Sequence, residues 1–134
     1  MHELLDRLCQ AANDHDLDAI VGCFADDYRN DTPLHPERSF TGVDQVRRNW
    51  SMILSMAPDI HTEVLRWTAD GDTVWSEWVH RGTRSDGTAH EMAGVVIFGV
   101  QDGLASWARF YLEPVQPGEG GHEQAIARQL GGSS

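Results

Sequence analysis

The stretch TVWSEWVHRGT, residues 73–83, decides how the second half of the chain folds. It is rich in β-branched and aromatic residues and is bounded by turn formers, the composition of a strand. Asp-Gly pairs flank it at Asp70-Gly71 and Asp86-Gly87, and a third follows at Asp102-Gly103. Asp-Gly between extended runs signals a hairpin, because both residues tolerate the positive φ that a tight two-residue turn demands. The spacing predicts a four-strand antiparallel meander over residues 59–69, 73–84, 88–100 and 104–114.

The same run carries two tryptophans, a glutamate, a histidine and an arginine, which a plain strand has no need of. Their destinations follow from the register. With each Asp-Gly as a two-residue turn, His61, Glu63, Ser76, Trp78, His80, Glu91, Ala93, Val95, Ala108, Phe110 and Leu112 share one mostly apolar face, which should meet helices. His61 then lies across from His80, with Glu63 and Glu91 close by. The opposite face collects Trp75, Trp107 and Tyr111, and sets Glu77, Val96 and Arg109 in one cross-strand row. Aromatics mixed with charge there suit a subunit interface or a second polar network.

Upstream, Leu4, Leu5, Leu8 and Ala12, and then Leu17, Ile20, Val21 and Phe24, recur at helical spacing and predict two short helices. YRNDTPLHPERSF (28–40) holds two prolines and many turn formers, so a brief extended start at Tyr28 should give way to an irregular pocket rim. Thr41 with Asp44 resembles a capping box, and Val43, Val46, Trp50, Ile53 and Leu54 form the apolar stripe of a third helix that stops before Pro58. Pro114, Pro117 and the glycines after them break the strand pattern. HEQAIARQLGGSS (122–134) then reads as a tail with at most one weak helical turn.

Ten Lys and Arg against 21 Asp and Glu leave the 134-residue chain at −11. Such a charge repels phosphate backbones and anionic lipid headgroups, so neither nucleic acid nor membrane is an expected partner. No apolar run approaches the roughly 18 residues of a membrane span, and MHELLDRL lacks the features of a signal peptide. A cytoplasmic location is the expectation. Cys9 and Cys23 show no zinc or redox spacing and read as buried free thiols.

Three helices, a rim after the second, and a curved antiparallel meander resemble the nuclear transport factor 2-like superfamily, in its ketosteroid isomerase-like and SnoaL-like group. The words that carry the resemblance are NDHDLDAIVGCFADDYRNDTP, FTGVDQVRRNW, VWSEWVHRGTRSDGT and GVVIFGVQDGLASWARFYLEPV, spread over nearly all of residues 10–115. The resemblance implies an α+β, cone-like fold: three N-terminal helices on a curved sheet of four meander strands plus a short strand near Tyr28. It makes residues 1–115 the domain and 116–134 a flexible C-terminal tail. It also implies a pocket lined by the third helix and the helix-facing side of the strands. At YRNDTPL the chain is similar to limonene epoxide hydrolase, whose water-positioning Tyr and Asn would match Tyr28 and Asn30. The Arg and two Asp of that enzyme would fall at Trp78, His80 and Phe110, so its epoxide-opening set is not carried over.

Within such a pocket His80 is the expected acid or base, since an imidazole titrates near neutral pH and responds to small changes in burial or charge. His61, Tyr28 and Asp31 complete the catalytic candidates: the second histidine facing His80, and a phenol and carboxylate at the rim. Asn30, Trp50, Leu54, Trp78, Val95 and Phe110 are the expected substrate-binding residues. Glu77 and Arg109 read as an ion pair across the sheet supported by Tyr111, or as an alternative polar site. Neither a metal nor a cofactor is expected. The expected partners are a small-molecule ligand or substrate and a second copy of the chain in a homodimer. Two functions fit: acid-base chemistry of the isomerase, cyclase or hydrolase kind on a small, largely apolar molecule, or non-catalytic binding and dimerisation on the same fold.

Overall fold

The computed structural model describes residues 1–118 and 120–131. In chain order it contains α1 (Glu3–Asn13), α2 (Leu17–Val21), β1 (Phe24–Asp31), a 3-10 turn (Pro36–Arg38), β2 (Phe40–Thr41), α3 (Val43–Met56), β3 (His61–Asp70), β4 (Thr73–Thr83), β5 (Ala89–Gln101), β6 (Leu104–Pro114) and α4 (His122–Leu130). The six strands form one sheet in the order β2-β1-β6-β5-β4-β3. All neighbours run antiparallel except β1 and β6, which are parallel. The α+β, cone-like architecture is the expected one, and the strand near Tyr28 is longer than expected.

α1 turns Leu4, Leu5, Leu8, Ala11 and Ala12 onto the sheet, and all five are buried. Its C-terminal end is clamped to the edge strand β3. Asn13 Nδ2 donates to the Thr62 carbonyl at 3.0 Å, while the Thr62 N–H donates to Asn13 Oδ1 at 2.7 Å. One side chain thereby satisfies both backbone groups that an edge strand leaves unpaired on its outer side. α2 is capped by Asp16, whose Oδ1 accepts from the Ala19 N–H at 3.1 Å.

α3 does not start with the expected Thr41–Asp44 box. Thr41 is drawn into the β2 ladder opposite Arg29, and Gly42, at φ +94°, is the cap residue with no side-chain bond. The Gly42 N–H instead donates to the Tyr28 carbonyl at 2.7 Å, tying the start of α3 to β1. The segment read as at most one weak helical turn forms α4; its last residues, 132–134, lie outside the described residues. No helix among the described residues is long and apolar enough to cross a membrane.

Turn chemistry placed the hairpins but not their phase. The first turn uses Gly71-Asp72, because Asp70 pairs with Thr73, and a bulge at Leu65 follows. His61 therefore sits opposite Arg81 and is exposed, and Thr62 takes the expected place across from His80. The second connection is a five-residue loop, residues 84–88, closed by Thr83 opposite Ala89. In it Asp86 Oδ1 accepts from the Thr88 N–H at 3.0 Å, and against a two-residue turn the loop takes two more residues from the β4 side and one more from the β5 side. That odd, three-residue difference reverses β5: Glu91, Ala93 and Val95 point away from the helices, and His90, Met92, Gly94, Val96 and Phe98 point toward them. The third turn is Asp102-Gly103 as expected, with a bulge at Ser106, opposite the Gly99–Val100 step, that restores the phase, so Ala108, Phe110 and Leu112 face inward.

Register also breaks the expected Glu77–Arg109 pair. Glu77 lies opposite Val95 and pairs with Arg66 at 2.9 Å, while Arg109 lies opposite Ile97. Tyr111 does support Arg109, accepting from its Nη2 at 3.3 Å.

At Gly94 the backbone of β6 comes so close that a Cβ would strike the Tyr111 carbonyl and stand 2.9 Å from Leu112 Cα, at φ +151°. Neither obstacle can rotate away, since both are backbone, so only glycine fits this close approach of the two strands. Gly94→Ala should cost about 3 kcal/mol or more in overlap and backbone strain. Gly71→Ala, at φ +58° with open space around it, should cost only about 1 kcal/mol. Paired urea denaturation curves check the contrast, and equal losses would contradict the close approach.

Candidate functional site

Helix α3 lies across the inner face of the sheet and encloses with it a cavity of about 480 Å³. Its wall is mainly aromatic and aliphatic: Trp50 and Ile53 from α3, Trp78 from β4, Met92, Val96 and Phe98 from β5, and Phe110 and Leu112 from β6. Trp78 is fixed in place. Its Nε1–H donates to Ser76 Oγ at 2.8 Å, and that hydroxyl donates to the Val96 carbonyl at 2.7 Å. The indole is thus pinned across two strands with no buried polar atom left over.

His80 is 9% exposed and lines this cavity. Its ring stands 5.8 Å from Trp78, edge to face, and 6.2 Å from Trp50. Removing it from water disfavours the imidazolium, and the nearby His90 adds to the effect, so its pKa falls to about 4. His80 is therefore a neutral imidazole at pH 7. The expected cluster of His61, Glu63 and Glu91 around it is absent, since all three are exposed. The histidine beside it is His90, which the register reversal in β5 turns inward. Its own pKa is lowered by burial first and by Arg84 second, whose Nη2 stands 3.4 Å from His90 Nδ1.

The second polar feature comes from β1, whose alternation turns Tyr28, Asn30 and then Thr32 into the cavity. Tyr28 Oη donates to Asn30 Oδ1 at 2.8 Å, and Asn30 Nδ2 donates to Thr32 Oγ1 at 3.2 Å. Burial, with a smaller contribution from Asp31, raises the Tyr28 pKa far above the usual phenol range, so it serves as a neutral hydroxyl. The same alternation points Asp31 to the other side of the sheet, where it pairs with Arg29 at 3.2 Å and Arg109 at 3.8 Å. Asp31 does not line the cavity.

Of the expected binding residues, Asn30, Trp50, Trp78 and Phe110 lie on the wall. Leu54 packs against the core without reaching it, and Val95 is on the outer face with its place taken by Val96. Glu77, Arg109 and Tyr111 form no part of the cavity. Sequence reasoning missed Asn49, which lines it and accepts from Gln45 Nε2 at 2.8 Å. A signal for it existed: Asn49 falls at helical spacing between Val46 and Ile53, a polar residue on an otherwise apolar stripe. Arg38, on the 3-10 turn at the rim, was also missed. Among the described residues, no three His, Cys, Asp or Glu side chains are grouped so as to hold a metal ion.

Solved structures with this fold are numerous. A SnoaL-like protein of unknown function from Burkholderia thailandensis is 26% identical with a TM-score of 0.62, over 83% of this chain and 90% of that one. A Mycobacterium tuberculosis epoxide hydrolase of the limonene epoxide hydrolase-like kind is 16% identical with a TM-score of 0.69, over 82% and 80%. Another M. tuberculosis protein, solved in complex with estradiol-17beta-hemisuccinate, is 16% identical with a TM-score of 0.69, over 81% and 89%. No curated protein matches the sequence. The model of the SnoaL-like domain matches residues 5–108, and the chain belongs to that family.

Proposed function

We propose that this protein is a small cofactor-independent enzyme that performs acid-base chemistry of the isomerase, cyclase or hydrolase kind on a small, largely apolar organic molecule held in the cavity. The observation that carries this reading is the buried, neutral His80 on a wall that is otherwise almost wholly apolar. A conjugate acid near pKa 4 gives its imidazole about the basicity of an ordinary carboxylate, without a negative charge to desolvate. No hydrogen bond to another described side chain ties the ring down, so its free nitrogen is available to a ligand. Trp50 and Trp78 hold the apolar body beside it. Asn30 keeps a second amide N–H after serving Thr32, and that N–H, with the Thr32 hydroxyl, would orient an oxygen of the substrate or a water. In the proton-transfer step, His80 takes a proton from an acidic C–H or a water and returns it from the imidazolium to the product.

Non-catalytic ligand binding on the same fold is the second reading. It is favoured by the commitment of the Tyr28 proton to Asn30 and by the lack of any carboxylate on the wall among the described residues. Hydrogen–deuterium exchange into a panel of cyclic ketones, with epoxide hydrolysis run alongside, separates the two. Wild type should exceed buffer, and His80→Gln should reduce the rate about 100-fold or more while retaining its melting transition. The rate should be level above about pH 5 and fall as pH drops through about 4, because only the unprotonated ring accepts a proton. Unchanged turnover in His80→Gln would end the catalytic assignment.

His80 also makes a stability prediction. Its folded pKa of about 4 lies below the ordinary 6.5, so between these values the unfolded chain binds the proton and the folded one does not. Stability should decline as pH falls from 6.5 toward 4, by about 3 kcal/mol from this group. Denaturation midpoints at pH 7 and pH 4.5 should draw apart less in His80→Gln than in wild type.

The same reading pairs the chain with a second copy across the outer sheet face, where Trp75 is 49% exposed. It places the protein in the cytoplasm, where the free thiols Cys9 and Cys23 remain reduced. Trp75→Arg should convert a dimer to a monomer in light scattering, and a wild-type monomer at micromolar concentration would remove the pairing.

A further inference from the structure

The chain has 21 acidic residues, yet among the described residues none lines the cavity. Among the described residues, the one fully charged side chain on the wall is Arg38, at the mouth. Its position is built. Arg38 Nη1 donates to Glu113 Oε2 at 3.2 Å, and Glu113 Oε1 is held by His35 Nε2. Glu113 follows Leu112, itself a wall residue, so the last turn of β6 anchors the rim segment and the guanidinium it carries. This tether occupies one corner of the guanidinium, and no other described group takes Nε or Nη2. The remaining donors form a planar fork of the geometry that suits a carboxylate.

The interior offers only neutral hydrogen-bonding groups: an imidazole, a phenol, amides and a hydroxyl. An anion driven that deep would have no counter-charge and would lose its hydration. At the mouth the balance reverses. Arg38 is 54% exposed, so an anion beside it keeps part of its water and gains a charge-assisted pair.

We propose that Arg38 selects molecules with an apolar body and one carboxylate or similar anionic group, the body filling the cavity and the anion resting at the mouth. This rests on the reading of the cavity as the substrate site. Because the pair is half-exposed and screened by salt, the expected selectivity is about tenfold and not hundreds.

The test uses two nearly isosteric probes, 2-naphthylacetate and 2-naphthylacetamide, measured by isothermal titration, with NMR shifts of the Trp50, Trp78 and His80 side chains reporting where each binds. Wild type should favour the acetate about tenfold at low salt. Arg38→Gln should remove that preference, leave the acetamide within about twofold, and keep the same side-chain shifts with both probes. If both probes shift those resonances but the acetate has no advantage, or keeps it in Arg38→Gln, the role of Arg38 is overturned while the cavity reading stands. If neither probe reaches Trp78 and His80, both fail together.

Discussion

Alternate side chains of a strand point to opposite faces, so in a sheet covered on one side a single residue added to a turn exchanges wall for exterior. Everything in the cavity depends on this. Strand β4 sets the phase by turning Val74, Ser76, Trp78 and His80 inward, all of them buried. Its neighbours then have to match it. The bulge at Leu65 lets β3 present Thr62 and Val64 to the core at one end and Trp67 on the same side as Ser76 at the other. The bulge near Gly99 does the same for β6, and Gly94 lets the backbones of β5 and β6 approach where a side chain would not fit. On the outer face Trp107 packs over Gly99 so closely that a Cβ there would collide with the indole, so the bulge is filled and not left as a defect.

The fold was legible because its signals are local. Helical spacing located the N-terminal helices, and the three Asp-Gly pairs located the connections to within a residue or two. The phase was less legible. Asp-Gly fits a two-residue turn, but it fits equally well as Gly71 in second place with Asp72 following, or inside a five-residue loop fastened by the Asp86 side chain. These alternatives differ by small turn energies, and the choice is made by burial across the whole sheet. Two shifts and two bulges nearly cancel, which is why Ala108, Phe110 and Leu112 were placed correctly while Val95, His61 and Glu91 were not. His80 and Trp78 were robust because they lie on the strand that defines the phase. Tyr28 and Asn30 were legible through resemblance, whereas Asp31 fell on the wrong side for want of one known fact, that β1 continues as a regular strand through residue 31 and pairs with β6.

Electrostatically the cavity is an exception within its own chain. A protein at −11 surrounds an interior with no carboxylate on its wall among the described residues, and its one ionisable base is held neutral by burial. A carboxylate in the position of His80 would meet the same desolvation with the opposite result, its pKa driven up until it was protonated and no longer a base. An imidazole buried in this way loses basicity but remains unprotonated at neutral pH. In an apolar, partly closed site, histidine is thus the residue that can supply a ready lone pair without a buried anion.

The two polar features of the wall lie on strands separated by β6 and β5, three strand spacings or roughly 14 Å measured along the sheet. Their characters differ as well. The Tyr28–Asn30–Thr32 chain is internally bonded, which fixes its geometry and leaves it only spare donors and lone pairs to offer. Among the described residues His80 has no such bonds, and aromatic neighbours flank its ring, so the ring can accept whatever proton geometry a ligand presents. A fixed neutral anchor on one strand and an unengaged base on another suit an elongated molecule gripped by an oxygen on one side and altered on the other. On the proposed reading, the aromatic and aliphatic surface between them would supply the binding, and the separation of the two polar groups would determine where along the molecule the chemistry falls.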